Sequence, residues 1–165
     1  MSVIVGLHQI KYLDNLAQVR RVVSAYGGGE IYTTGSRIRT RYELEQSEGR
    51  LPRELRMRDY ANARVIIGQQ IETFNNMDQR VVEMGTNKVI GRTIPVAIEI
   101  VDNAMPLEHF EHPEHAMYVF GPEDGNVPPQ ILRQCHHVVQ IPTTHCINVS
   151  HAVATVLYDR KVKSA

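Results

Sequence analysis

Two loops concentrate the residues of this chain that could do chemistry. Gly121-Pro122-Glu123-Asp124-Gly125-Asn126-Val127-Pro128 carries two carboxylates, Glu123 and Asp124, at the tip of a segment stiffened by two prolines. Its glycines permit close backbone approach to a ligand. Pro142-Thr143-Thr144-His145-Cys146-Ile147-Asn148 gathers hydroxyls, an imidazole, a thiol and an amide. Taken singly, the first loop reads as a rigid turn and the second as an ordinary helix N-cap at Asn148, since Gly, Pro, Asn and Asp are what turns use. Their occurrence together at neighbouring strand ends gives the pair more weight. A nucleophilic role for Cys146 is set aside, because no base with an orienting partner is evident around it.

The elements that must position these loops alternate along the chain. Val3–Leu7 is short, apolar and β-branched and reads as a buried strand. Asp14-Asn15 follows as an N-cap pair, with Leu16, Val19, Val22, Val23 and Tyr26 at helical spacing and Gly27-Gly28-Gly29 as the stop. Glu30–Thr33 resumes as a strand, and residues 36–62 read as a loop with one or two short helices. Further strands are expected at Arg64–Gly68, Ile94–Val101, Ala116–Phe120 and Val138–Ile141, with a helix through Phe74, Met77, Val81 and Met84 and at most a short one at Pro106–Phe110. Asn148 then opens a helix whose apolar face is Val149, Ala152, Val153, Val156 and Leu157. The expectation is a single α/β domain over 1–165 with a mostly parallel sheet flanked by helices. Ligands of such sheets bind where the strands end at their carboxyl side.

Composition removes several classes of function. A hydrophobic content of 42% and a charged content of 22% are ordinary for a globular protein. No apolar run approaches the roughly 20 residues needed to span a bilayer, and no signal peptide is evident at the start, so the cytoplasm is the default expectation. Cys135 and Cys146 are too few for a disulfide framework and lack metal or redox spacing. His109, His112 and His115 could suggest a metal, but Pro113 interrupts any helix that would align them and no ligand set is completed, so none is expected. Gly27–Gly29 follows a helix rather than a strand, which argues against a dinucleotide loop. Net charge is zero, yet 14 of the 18 basic residues are arginine and eight of them lie between Arg37 and Arg64. That stripe fits an RNA-backbone footprint and, because five acids interleave with it, equally a salt-bridged helical face.

The two loops also carry a resemblance. FGPEDGNVP at 120–128 resembles motif 2 of the SPOUT methyltransferases of the TrmH/SpoU branch, and IPTTHCINVSHAVATVLYD at 141–159 resembles motif 3. Asn15, Arg21 six residues later and Tyr26-Gly27 match the branch's motif 1, so all three motifs occur in family order. Cys146-Ile147-Asn148 stands where the family usually has Ser-Leu-Asn, and the loop between Pro142 and Asn148 is shorter than is typical.

The resemblance implies a SPOUT fold with a C-terminal trefoil knot, knot and cofactor site lying at about 115–160, and a homodimer. It implies S-adenosylmethionine as cofactor and 2′-O-methylation of an RNA ribose, with tRNA favoured over rRNA. Cofactor contacts would come from Phe120, Gly121, Pro122, Glu123 and Gly125, and from Ile141, Pro142, Cys146, Asn148 and Val149. Asn15, Arg21, Glu123 and Asn148 would surround the methyl-transfer centre, with Arg21 stabilising or activating the 2′-hydroxyl. RNA contacts would come from Arg37, Arg39, Arg41, Arg53, Arg56 and Arg58 and from the partner subunit. The alternatives are rRNA as the substrate, a base as the methylated group, or an RNA-binding SPOUT protein without turnover.

Overall fold

The computed structural model describes residues 2–69, 81–82, 89–91 and 93–164. Its main sheet contains β1 (Ser2–His8), β2 (Gly29–Thr34), β3 (Ala63–Gln69), β6 (Ile94–Ile98), β7 (Met105–Pro106), β8 (His115–Phe120) and β9 (His137–Gln140). Their order is β3-β2-β1-β8-β6-β9-β7, and every neighbouring pair is parallel. Two short strands, β4 (Val81–Val82) and β5 (Val89–Gly91), pair with each other antiparallel, apart from this sheet.

The chain builds outward from β1 through β2 to β3, then crosses to the other side. There β8 inserts between β1 and β6, and β9 inserts between β6 and β7. Because all strands of the sheet run the same way, the loops after β1, β2, β6, β8 and β9 collect at one edge. Parallel strands covered on both faces need continuous apolar runs, and β1 is buried from Ile4 to Leu7.

Alternate residues serve the two faces. Val5, Leu7, Ala116, Tyr118 and Phe120 enter a large core with α1 (Leu13–Ala25) and α5 (Val149–Lys163). Ile4, Met117 and Val119 enter a smaller core with Val127 and with Ile131 of α4 (Pro129–Leu132). The predicted apolar stripe of α5 is buried throughout: Val149, Ala152, Val153, Val156 and Leu157. Between β2 and β3 run α2 (Ser36–Ser47) and α3 (Arg53–Arg56), each with one fully buried side chain, Ile38 and Leu55 respectively.

A polar network ties α5 to the start of β8. Arg160 Nη1 donates to the Tyr118 hydroxyl at 2.9 Å and to the Pro113 carbonyl at 2.7 Å. Tyr118 Oη, already accepting, has its own hydrogen for His112 Nδ1 at 2.7 Å, and His112 Nε2 reaches Asp159 Oδ2 at 2.7 Å. Neutral His112, protonated on Nε2, satisfies the whole chain. Burial is the main cause that lowers its pKa, with Arg160 and Lys163 adding to it and Asp159 opposing. Burial likewise pushes Tyr118 up to about 12.

Several sequence expectations are corrected. Tyr12, not Asp14-Asn15, is the N-cap of α1, and Asn15 lies inside the first turns with its side chain engaged elsewhere. Tyr26 is the C-cap rather than a helical residue. The strand expected over Ile94–Val101 ends at Ile98, where the chain turns to form the site. The helix expected through Phe74, Met77, Val81 and Met84 lies mostly outside the described residues, but Val81 itself is in β4.

Candidate active site

The loop after β8 turns back on the strand that launches it. A Cβ at Gly121 would stand 2.8 Å from the Val127 amide nitrogen and 2.9 Å from the Asn126 carbonyl carbon, so only glycine fits there. Glu99, the residue after β6, pins the same loop: Val127 N–H donates to its Oε2 at 2.8 Å and Ile100 N–H to its Oε1 at 3.1 Å.

Glu123 then reaches across to α1. Its Oε1 accepts from the Lys11 amide at 2.8 Å, and its Oε2 accepts from the Tyr12 amide at 3.2 Å and from Asn15 Nδ2 at 2.7 Å. A carboxylate from a distant loop thus satisfies amides at the start of this helix, where anions are favoured. Asn15 Oδ1 in turn accepts from Asn148 Nδ2 at 3.0 Å, and Asn148 Oδ1 accepts from the Ser150 amide at 2.8 Å. The backbone N–H of Ser150 can only donate, which fixes both amide orientations along the row. Glu123, Asn15 and Asn148 are therefore brought together from three separate parts of the chain.

Beside this row opens a mainly apolar pocket. Ile98, Phe120, Ile141 and Val149 supply its walls, Gly121, Pro122 and Gly125 its loop side, and Glu99 a carboxylate. Glu123 and the exposed thiol of Cys146 also line it. Of the residues expected around a cofactor, Pro142 and Asn148 are not in the lining, although Asn148 bonds to Asn15 at its edge. Ile98, Glu99 and Ile100 are lining residues that the sequence did not single out. Their only signal was the end of a strand that had been read as continuing to Val101.

Arg21 does not join the row. It is exposed on α1, six residues beyond Asn15 and so roughly 9 Å further along the helix axis, outside the pocket lining. All six arginines expected to meet RNA are exposed. Arg41 pairs with Glu45, Arg53 donates to Met57 Sδ and Arg56 to the Leu51 carbonyl. Arg37 differs: it grips Asp124 through both nitrogens, at 2.7 and 3.1 Å, and donates to the Gln9 carbonyl at 2.6 Å. That bond holds the Asp124 carboxyl below the usual range.

Arg37 and Asp124 border a second, polar cavity on the other side of the β8 loop, which shares Pro122 and Gly125 with the first. His8, at the end of β1, also lines it. Its pKa is lowered, first by burial and then by Arg37.

A model of the SpoU rRNA Methylase family matches residues 2–158. No curated protein matches the chain in sequence. Among solved structures, one similar protein is described for "2-OH methylation of C/U34 on tRNA": 16% identity, 99% of this chain and 91% of that one, TM-score 0.70. The A. aeolicus TrmH/SpoU tRNA modifying enzyme is 15% identical over 99% of this chain and 77% of its own, with a TM-score of 0.72. The Streptomyces viridochromogenes SpoU methyltransferase AviRb, solved with AdoMet, is 15% identical over 99% of this chain and 58% of its own, with a TM-score of 0.70. At such identities the likeness is one of fold, and the insertion of β9 between β6 and β7 is consistent with the knotted topology of that fold.

Proposed function

The chain belongs to the SpoU rRNA methylase family, in the TrmH/SpoU branch of SPOUT enzymes, and from that premise we propose that it is a homodimeric 2′-O-ribose methyltransferase of tRNA. It uses S-adenosylmethionine, which supplies an electrophilic methyl group when bound. The whole chain acts as one methyltransferase domain. No helix among the described residues is long and apolar enough to cross a membrane.

The observation that carries the reading is the row Glu123–Asn15–Asn148 at the edge of an apolar pocket. The pocket suits the cofactor: Phe120, Ile141 and Val149 offer apolar surface to an adenine and to the carbons around the sulfonium, and Gly121 lets the backbone approach. What remains for the protein is to orient the ribose, exclude water and favour the negative charge that develops on the 2′-oxygen.

Asn15 and Asn148 each spend one N–H of their amide groups within the row, which leaves each a second N–H for a ribose oxygen. Glu123 accepts three N–H bonds, so its task is to hold Asn15 rather than to take a proton. Arg21 stabilises the developing alkoxide, for which a permanently cationic guanidinium is suited. Its distance from the pocket within one chain favours delivery across the homodimer. Exposed Tyr158 and Val162 on the outer face of α5, with Tyr12 at the start of α1, support such an interface. The exposed arginines from Arg39 to Arg58 hold the RNA backbone.

The test is transfer of labelled methyl from S-adenosylmethionine to small RNA lacking its normal modifications, with Arg21→Ala and Asn15→Ala beside the wild type. Label is expected at a ribose 2′-oxygen of tRNA and should be lost in both variants. Label only in ribosomal RNA would move the substrate, and absence of cofactor binding by calorimetry would overturn the reading.

A further inference from the structure

The polar cavity beside the cofactor pocket has a chemistry of its own. His8 is only 5% exposed, and its Nδ1 lies 2.9 Å from Thr34 Oγ1. Thr34 is buried, and its oxygen also accepts the Gln9 amide at 3.2 Å. Where the Thr34 hydroxyl donates to Nδ1, the neutral ring carries its proton on Nε2, and where Nδ1 donates, Nε2 is an acceptor. The His8 ring borders the cavity.

The remaining walls mix donors with acceptors. Gln9, Asn126 and Gln130 present amides, while Pro122 and Pro128 give ring faces. Gln9 takes φ 49°, in the left-handed region, and packs against Gly35, where a Cβ would come within 2.9 Å of its Cγ. The end of β1 is thus held in an unusual backbone conformation at the cavity wall. Arg37 and Asp124 neutralise each other there, so a phosphate would meet a carboxylate as well as a guanidinium. A flat heterocycle with its own donors and acceptors suits this lining better than an anion does.

We propose that this cavity receives the base of the nucleotide whose ribose is methylated, with the His8 ring and the amides of Asn126 and Gln130 reading its edge. The inference rests on the methyltransferase reading for the position of the ribose. The two cavities share Pro122 and Gly125, so a ribose beside Glu123 and Asn15 leaves its base at the mouth of the second. Residues that select the nucleotide are then distinct from those that bind the cofactor.

The experiment titrates the protein with the four ribonucleoside 5′-monophosphates, following the His8 ring by NMR, with ribose 5-phosphate and inorganic phosphate as controls. At least one monophosphate should shift the His8 signals while ribose 5-phosphate and phosphate leave them unmoved. Asn126→Ala with Gln130→Ala, at exposed positions, should weaken that binding about tenfold without changing calorimetric affinity for S-adenosylmethionine. Equal shifts from ribose 5-phosphate, or none from any monophosphate, would overturn the proposal. Cofactor binding with a silent His8 removes the base pocket and keeps the methyltransferase. Shifts at His8 without cofactor binding do the reverse.

Discussion

In the proposed mechanism one side chain, Glu123, serves stability and chemistry together. It holds two amides at the start of α1 and the amide group of Asn15, so Glu123→Ala should cost about 1 kcal/mol in denaturant unfolding. Methyl transfer should fall by more than about tenfold, because Asn15 loses its anchor. Gly121→Ala separates the two effects. Its methyl would collide with the Val127 amide, and calorimetry should show S-adenosylmethionine binding weakened about tenfold or more. The turn at Gly121 and the N-cap at Asn148 were legible from residue type, whereas Glu123 was singled out only through the family resemblance. Glu99 was not legible. It acts through the Val127 amide of a loop far along the chain, and no local pattern announces such a pairing. The same holds for His8, which looks like any histidine at the end of a strand until the cavity beside it is seen.

At the scale of elements, the apolar pattern foretold α5 and six of the seven strands of the main sheet, because burial writes itself into spacing, and it missed the two-residue β7. It misjudged the start of α1, where a distant carboxylate and not a local cap satisfies the helix. It was also blind to the network that fastens α5 to β8. That network sets a pH dependence. His112 and His8 are both held below the ordinary imidazole value of about 6.5, mainly by burial. A folded state with lowered histidine pKa values binds fewer protons than the unfolded one between the two values. Stability from these groups is therefore complete above about pH 6.5 and declines as the pH falls below it. Urea midpoints at about pH 7.5 and about pH 5.5 should differ in that sense, and His112→Gln should flatten the difference. An unchanged slope in the variant would locate the titration elsewhere.

For the molecule as a whole, α5 carries exposed apolar side chains beside its terminal lysines, and the exposed arginines concentrate between β2 and β3. Tyr158 and Val162 remain 60% and 53% exposed on α5, while the exposed arginines cluster on α2, on α3 and in the turn after it. Tyr158→Asp with Val162→Glu should turn a dimer into a monomer in sedimentation and take methyl transfer with it, if Arg21 acts across the interface. Removing Arg39 and Arg58 should lower RNA affinity and make its logarithmic salt slope shallower by up to about two. An unchanged slope would assign those arginines to the solvated, salt-bridged face that their neighbouring acids also permit.

The seat of β9 between β6 and β7 has a consequence for how the finished molecule is recognised. Ile141 directly follows that strand, and Val149 begins the helix beyond the next loop, so this wall of the proposed cofactor pocket exists only when β9 sits between β6 and β7. A small molecule that needs this wall ignores every chain whose insertion is incomplete and holds each completed one in its final form by mass action. Cofactor occupancy thereby becomes a certificate of correct assembly, and resistance to proteolysis should rise with cofactor concentration in step with the fraction of chains fully threaded.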